Sequence, residues 1–330
     1  MPVTCEVLGP AGADNALYVR VDAGHATHRL LFDCGEGCPA GVPFHELLRL
    51  DEVFFSHLHM DHVAGFDALF RATYNRPAPV RAWGPAGTTR ILQHRFRGFM
   101  WNLYADEPGE WHVWNLTPDG ATGARYLTRE AYETEHPLGH AAELTPFLTN
   151  AAFTVEAYVM NHHTPSVAYV VRERSRTNVD ATRLTALGLR PGPWVQQLKN
   201  PDAPARIDVH GTTHDTNELR RALLVETPGE AVAYLTDFLL DDAAMTTLAP
   251  ALRDARVVCE SQYRHADAEL ARRNHHMTSV QAAELAVRAG ARDLTLIHVS
   301  DRYDAAARAE LLREAQAVFP AARFPKHWST

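Results

Sequence analysis

The sequence predicts an α/β sandwich, in which β-sheets pack together beneath surface helices. Three observations lead there. The N-terminal residues alternate in the manner of strands separated by Gly, Asp and Asn turns. The C-terminal third alternates apolar strand-like runs with amphipathic helices. With 46% hydrophobic and 22% charged residues in 330, the composition is that of an ordinary globular protein with a substantial core.

The elements follow in order. "CEVLG", "NALYVRVD" and "HRLLFDCG" read as successive strands, "DEVFFSH" as a short fourth one, and "VAGFDALFRATYN" as a helix. "VRAWGPAGT" carries a strand into a turn and a further helix. Residues 95–150, rich in Trp, Pro, Gly and Thr, fit no period. "AFTVEAYVMNHH" and "SVAYVVRER" form a strand pair, after which a long polar stretch from about 173 to 211 interrupts the pattern. From "EAVAYLTDF" onward, strands and helices alternate through "RVVCESQY", "SVQAAELAVRAG" and "LTLIHVS". Thr278 and Gln281 are spaced as a capping box, and Gly290 stands where a C-terminal cap belongs. The whole reads as one domain over residues 1–330 with an insertion at about 173–211.

Several function classes fall away. No apolar run approaches the roughly 20 residues that span a bilayer. "MPVTCEVLGP" lacks the basic and apolar regions of a secretory signal. Four cysteines (Cys5, Cys34, Cys38, Cys259) are too few and too scattered for a disulfide framework, which points to a reducing cytoplasm. A formal charge of −8 disfavours nucleic-acid binding over the whole surface but permits a local basic patch.

The chemistry concentrates in "SHLHMDH". Alternate residues of a strand share a face, so His57 and His59 point at one centre. Asp61 and His62, in the turn before the helix, address a second centre. Zinc takes imidazole and carboxylate at ~2.0–2.2 Å and needs three or four such ligands. One cluster this compact cannot fill two sites. Later strand ends supply further ligand types: His162 and His163 in "VMNHHTPS", Asp237 in "AYLTDF" and His298 in "LTLIHVS". Singly, Asp237 also reads as a turn residue and His298 as a hydrogen-bonded core imidazole. Together the set comprises five histidines and two aspartates, which suits two zinc ions.

"SHLHMDH" is similar to the defining motif of the metallo-β-lactamase superfamily, and the later His, Asp and His arrive in that family's order. The resemblance extends to ribonuclease Z, the tRNA 3′-processing endonucleases. "LLFDCGEG" resembles their strand before the metal loop, with Asp33 as a buried support. "WGPAGT" resembles their next loop, "RPGPWVQQLK" the Gly-Pro segment of their protruding arm, "HMTSVQAAELA" their His-Ser-Thr motif, and "LIHVSDRY" their closing segment. The resemblance implies an αββα sandwich, two packed mixed sheets flanked by helices, with a protruding arm. It implies one zinc on His57, His59 and His162, a second on Asp61, His62 and His298, and Asp237 bridging them, with manganese or iron as alternative metals. The family spacing to "PSVAY" selects His162 over His163. Asp61, Glu260 and His276 are the implied catalytic residues: Glu260 orients His276, which protonates the leaving 3′-oxygen after hydroxide attacks phosphorus. His275 competes with His276, but its spacing to "QAAELA" is wrong.

Substrate and partners also follow from the resemblance. Between Arg172 and Gly211 stand seven arginines and lysines against four acidic residues, an arm suited to gripping precursor tRNA. The related nucleases are homodimers in which one subunit's arm serves the other's active site. The chain departs from their pattern at four places. The loop "GPAGADNALYV" keeps Asn15 but has no arginine, and Met60 replaces glycine. "LTDF" replaces Gly-Asp-Thr, and "HMT" replaces His-Ser-Thr. The ligand set survives all four, so the chemistry is better fixed than the substrate. The alternative is a related metallohydrolase acting on a small phosphodiester, a sulfate ester or another ester, with "FMWNLYADEPGEWHVWNL" as a lid over a small pocket.

Overall fold

The computed structural model describes residues 3–24 and 26–328. The chain divides into two compact units, Met1–Glu173 with Glu230–Thr330, and Arg174–Gly229. The larger unit holds two sheets. The first has eight strands in sequential order: β1 (Thr4–Leu8), β2 (Ala16–Asp22), β3 (Thr27–Phe32), β4 (Glu52–Phe54), β5 (Val80–Pro85), β6 (Glu110–Thr117), β7 (Gly120–Leu127) and β8 (His136–Ala141). Strands β3 to β6 run parallel, and the flanking pairs are antiparallel. The second sheet opens with β9 (Leu148–Thr149), β10 (Phe153–His162) and β11 (Thr164–Glu173). The smaller unit follows, with two antiparallel pairs drawn from β12 (Arg176–Val179), β13 (Arg206–Val209), β14 (Thr212–Asp215) and β15 (Leu224–Thr227). The chain then completes the second sheet with β16 (Ala231–Leu235), β17 (Arg256–Glu260), β18 (Asp293–Ile297) and β19 (Ala322–Arg323), in the order β19-β18-β17-β16-β11-β10-β9.

Three apolar clusters turn these sheets into four layers. Leu17, Val19, Leu30 and Phe54 from the first sheet meet Val155, Tyr169, Tyr234 and Ile297 from the second. Aromatic rings join across this seam, Phe54 to Tyr169 at 5.3 Å and Phe32 to Tyr234 at 5.7 Å. The other face of the first sheet packs on helices through Phe66, Phe70, Leu92 and Phe96. The other face of the second sheet packs on helices Asp242–Ala251, Ser279–Ala289 and Ala305–Val318 through Leu248, Leu285 and Leu311. Each such buried side chain contributes about 1.5–3 kcal/mol. The architecture is the expected αββα sandwich.

The structure differs from the sequence reading at three places. The helix expected over "VAGFDALFRATYN" is two, Met60–Val63 and Phe66–Thr73, broken at Gly65. A Cβ there would lie 2.2 Å from the Gly35 carbonyl oxygen, so glycine lets the loop after β4 close onto the end of β3. Residues 95–150, which fit no period, supply β6 to β9. Small residues hide the alternation: Gly123 in β7 lies under the Trp114 ring, where a Cβ would come within 2.5 Å. The second half of the expected lid is therefore β6, with Trp111 in the core. Phe99, Met100, Trp101 and Tyr104 line an open hollow of about 400 Å³ beside the helix Phe66–Thr73, and none of the ligand candidates lines it. Finally, the unit expected to end near 211 runs to Gly229, because the helix Thr216–Leu223 shares a separate core with Leu184, Trp194, Leu198 and Ile207.

The capping box is present: the Thr278 hydroxyl accepts from Gln281 N–H at 3.2 Å, and Gln281 Oε1 accepts from Thr278 N–H at 3.0 Å. Thr278→Ala should lower stability by about 1 kcal/mol in chemical denaturation. Among the described residues, no helix is long and apolar enough to cross a membrane.

Candidate metal centre

The site assembles where strands end. The loop after β4 carries Ser56, His57 and His59, so the two histidines converge from a loop and not from one face of a strand as expected, and the short helix Met60–Val63 carries Asp61 and His62. Strand β10 ends on His162, Asp237 follows β16, Glu260 ends β17, and His298 follows β18. Backbone groups leave the ladders there, so side chains from distant sequence positions converge.

Among the described residues four overlapping groups form: two contain His276, with His162 and Asp237 or with Glu260 and His298, and the other two adjoin each other. His57, His59 and His162 offer ligand atoms within 4.8 Å of one another, and so do Asp61, His62, Asp237 and His298. Asp237 stands between them. Its Oδ2 lies 3.7 Å from His57 Nε2, 3.6 Å from His162 Nε2 and 3.5 Å from His62 Nε2, while Oδ1 lies 3.6 Å from His298 Nδ1. His163, the neighbour left open by the residues alone, is exposed and joins neither group. Met60 points outward at 79% exposure.

Hydrogen bonds fix which ring nitrogen is free. Buried Asp33 accepts from Ser56 N–H and Ser56 O–H, each at 2.7 Å, from His62 Nδ1–H at 2.7 Å and from Tyr234 O–H at 2.9 Å. The single Ser56 hydroxyl proton is thereby committed, so Ser56 Oγ accepts from His57 Nδ1–H at 3.1 Å. His162 Nδ1–H donates to the His275 carbonyl at 2.8 Å. In all three imidazoles Nε2 is left to face the site. Burial, then the adjacent His62, pulls His57 down to about 2, and burial also lowers His162, so both rings are neutral ligand types. Burial would raise Asp237, but His298 and His62 outweigh it and hold the carboxyl well below the usual range.

Beside these groups, His276 Nδ1–H donates to Glu260 Oε2 at 2.9 Å. Glu260 also accepts from Met277 N–H at 3.2 Å and Phe238 N–H at 3.0 Å, which holds the carboxylate still. Burial pulls His276 down, yet Glu260, by charge and by hydrogen bond, outweighs it and raises the imidazole to about 9. Its ring centre is 4.7 Å from that of His162 and 5.6 Å from that of His298.

Residues 9–181 match the family described as the metallo-beta-lactamase superfamily. A ribonuclease Z from Deinococcus radiodurans is 43% identical, covering 99% of this chain and 98% of its own length. The chain belongs to the ribonuclease Z family of the metallo-β-lactamase superfamily. A ribonuclease BN from Cronobacter sakazakii is 30% identical over 91% of this chain and 88% of its own. The fold matches that of YhfI from Bacillus subtilis, a metallo-beta-lactamase fold protein, at a TM-score of 0.56 and 18% identity, covering 98% of this chain and 96% of that one.

As a ribonuclease Z family member, the chain is a metal-dependent hydrolase. The side chains fit a metal. His57 Nε2, His62 Nε2 and His298 Nδ1 are buried with no hydrogen-bond partner, and each such orphan costs about 1–3 kcal/mol. A cation between the groups would satisfy them. Four positioning groups lay beyond the ligand pattern. Ser56 directly precedes His57 and was within reach of it. Asn15, whose Oδ1 accepts from His298 N–H at 3.0 Å, was visible only as a retained residue. Tyr234 and the His275 carbonyl carry no sequence signal.

Proposed function

We propose that this chain is a zinc-dependent phosphodiester hydrolase that removes 3′ trailers from precursor tRNA in the cytoplasm, working as a homodimer. The observation that carries it is the pair of adjoining ligand groups, with their orphaned nitrogens, set against the Glu260–His276 pair. His57, His59 and His162 would hold one ion, and Asp61, His62 and His298 the second, with Asp237 facing both. When bound, the ions supply Lewis acidity toward the phosphodiester and toward water. The chain's own part is orientation and proton delivery. Asp33 and Ser56 hold His57 and His62 in the tautomer that presents Nε2. Glu260 holds His276 with its remaining N–H free to protonate the departing 3′-oxygen. Family membership through relatives named ribonuclease Z supports RNA as the substrate.

The smaller unit is the proposed RNA grip. It carries eight arginines and lysines against six acidic residues, a smaller excess than in the 172–211 stretch, because the helix Thr216–Leu223 and β15 add acidic residues as well as basic ones. Exposed Arg190 and Arg206 lie in it. Replacing both with glutamate should weaken tRNA binding, flatten its salt dependence and leave hydrolysis of a small diester unchanged.

The deciding assay sets trailer-bearing precursor tRNA beside bis(4-nitrophenyl) phosphate, with zinc added to and then chelated from the same protein. Release of the trailer only with metal is the expected result. Hydrolysis of the small diester with the precursor left intact would instead give the chain to the small-ester alternative.

A further inference from the structure

Two positions next to the metal ligands call for glycine and hold histidine. The helix Ala268–Asn274 ends on His275 in the left-handed conformation, φ 56° and ψ 49°, where glycine is the usual cap. His163, the one residue between β10 and β11, also has φ 56°. A side chain at such a position is strained relative to glycine, so both rings call for a reason.

The rings meet each other. His163 and His275 stack with centres 3.6 Å apart and planes 22° from parallel. The His163 backbone N–H is shared between His275 Nδ1 and Asn161 Oδ1, each at 3.2 Å. His163 Nε2–H donates to the Arg273 carbonyl at 3.0 Å. The β10–β11 turn is thereby clamped to the end of the helix. Between them, the His275 carbonyl receives His162 Nδ1–H at 2.8 Å. His276, the next residue, carries the bond to Glu260.

We propose that His163 and His275 are positioning residues. Their stack locks the left-handed His275 carbonyl onto His162 and so commits His162 Nε2 to a metal. This rests on the reading of His162 as a ligand. The carbonyl fixes tautomer and ring plane together, as the outer partners of ligating imidazoles do, and losing such a partner typically costs 10–100-fold in metal affinity.

The test measures zinc per chain by elemental analysis across a graded series of zinc buffers, for wild type, His162→Ala, His163→Gly, His275→Gly and His275→Asn. The two glycine variants keep the backbone conformation and lose the clamp. Each should need about 10–100-fold more free zinc to half-fill one of two centres, while the metal-free protein melts no lower than wild type because the strain is relieved. His275→Asn should recover only part of the binding: asparagine tolerates the left-handed conformation and its Oδ1 can accept from the His163 N–H, but it restores no ring stack. Wild-type zinc affinity in both glycine variants, with one centre lost in His162→Ala, would overturn the proposal and leave the metal reading standing. Unchanged zinc content in His162→Ala would overturn the ligand assignment itself.

Discussion

His276→Ala should lower turnover of a phosphodiester by about 10²–10⁴-fold while the chain retains its full metal content. Glu260 takes the Nδ1 proton at 2.9 Å and is itself pinned by the Phe238 and Met277 amides. The remaining ring N–H is thus presented from a fixed support, and the carboxylate keeps the ring protonated. Removing the imidazole takes away the proposed proton donor and leaves every proposed ligand in place. The leaving group makes the test specific. A nitrophenolate departs without a proton, whereas an alkoxide such as a ribose 3′-oxygen needs one. The loss should therefore be large for an RNA or alkyl diester and small for the nitrophenyl one. An equal loss on both would remove His276 from proton transfer, and loss of zinc would move it into metal binding. Glu260→Gln should fall between wild type and His276→Ala, since an amide oxygen still accepts the Nδ1 proton but no longer favours the charged ring.

The largest stability effect is expected at Asp33. Asp33→Ala strands four donors at once: Ser56 N–H, Ser56 O–H, His62 Nδ1–H and Tyr234 O–H. Breaking a buried charged network by removing one partner costs about 3–5 kcal/mol, and alanine tolerates the φ of 59° at this position poorly. Asp33→Asn keeps the left-handed preference and one acceptor oxygen, so about 1–3 kcal/mol is expected. Denaturation of the metal-free proteins measures this directly and separates folding from zinc affinity. Wild-type stability in Asp33→Ala would show that the loop after β4 is held by packing and metal alone.

The ligand candidates were legible because each is a ligand type standing at or just after an apolar run, and because four of them crowd into the six residues from 57 to 62. The groups that aim them were not. Tyr234 reaches Asp33 across 201 residues of sequence, from the other sheet, and nothing local distinguishes it from a core tyrosine. His275 acts through its backbone carbonyl, which every residue possesses. The fold was readable where strands alternate cleanly and failed where it was built from exchange of bulk, as with Trp114 lying over Gly123. The end of the smaller unit was missed for a related reason. The helix Thr216–Leu223 shows the same apolar spacing whether it covers a sheet or closes a small core of its own, and only contacts tell these apart.

The place where the smaller unit joins the chain has its own consequence. Strands β11 and β16 are antiparallel neighbours, in register at Arg172 and Ala231, and Glu173 N–H donates to the Glu230 carbonyl at 2.9 Å. The chain therefore departs and returns at one rung of the sheet, and the 56 residues from 174 to 229 are, topologically, a hairpin loop that has acquired a core. Closing such a loop costs about 2 kcal/mol more at 56 residues than at a tenth of that length, because the entropy grows only with the logarithm. The sheet pairing of the larger unit is therefore indifferent to how many residues lie between Glu173 and Glu230, and an RNA grip placed there, as proposed, would add to the chain without altering the rung it leaves from.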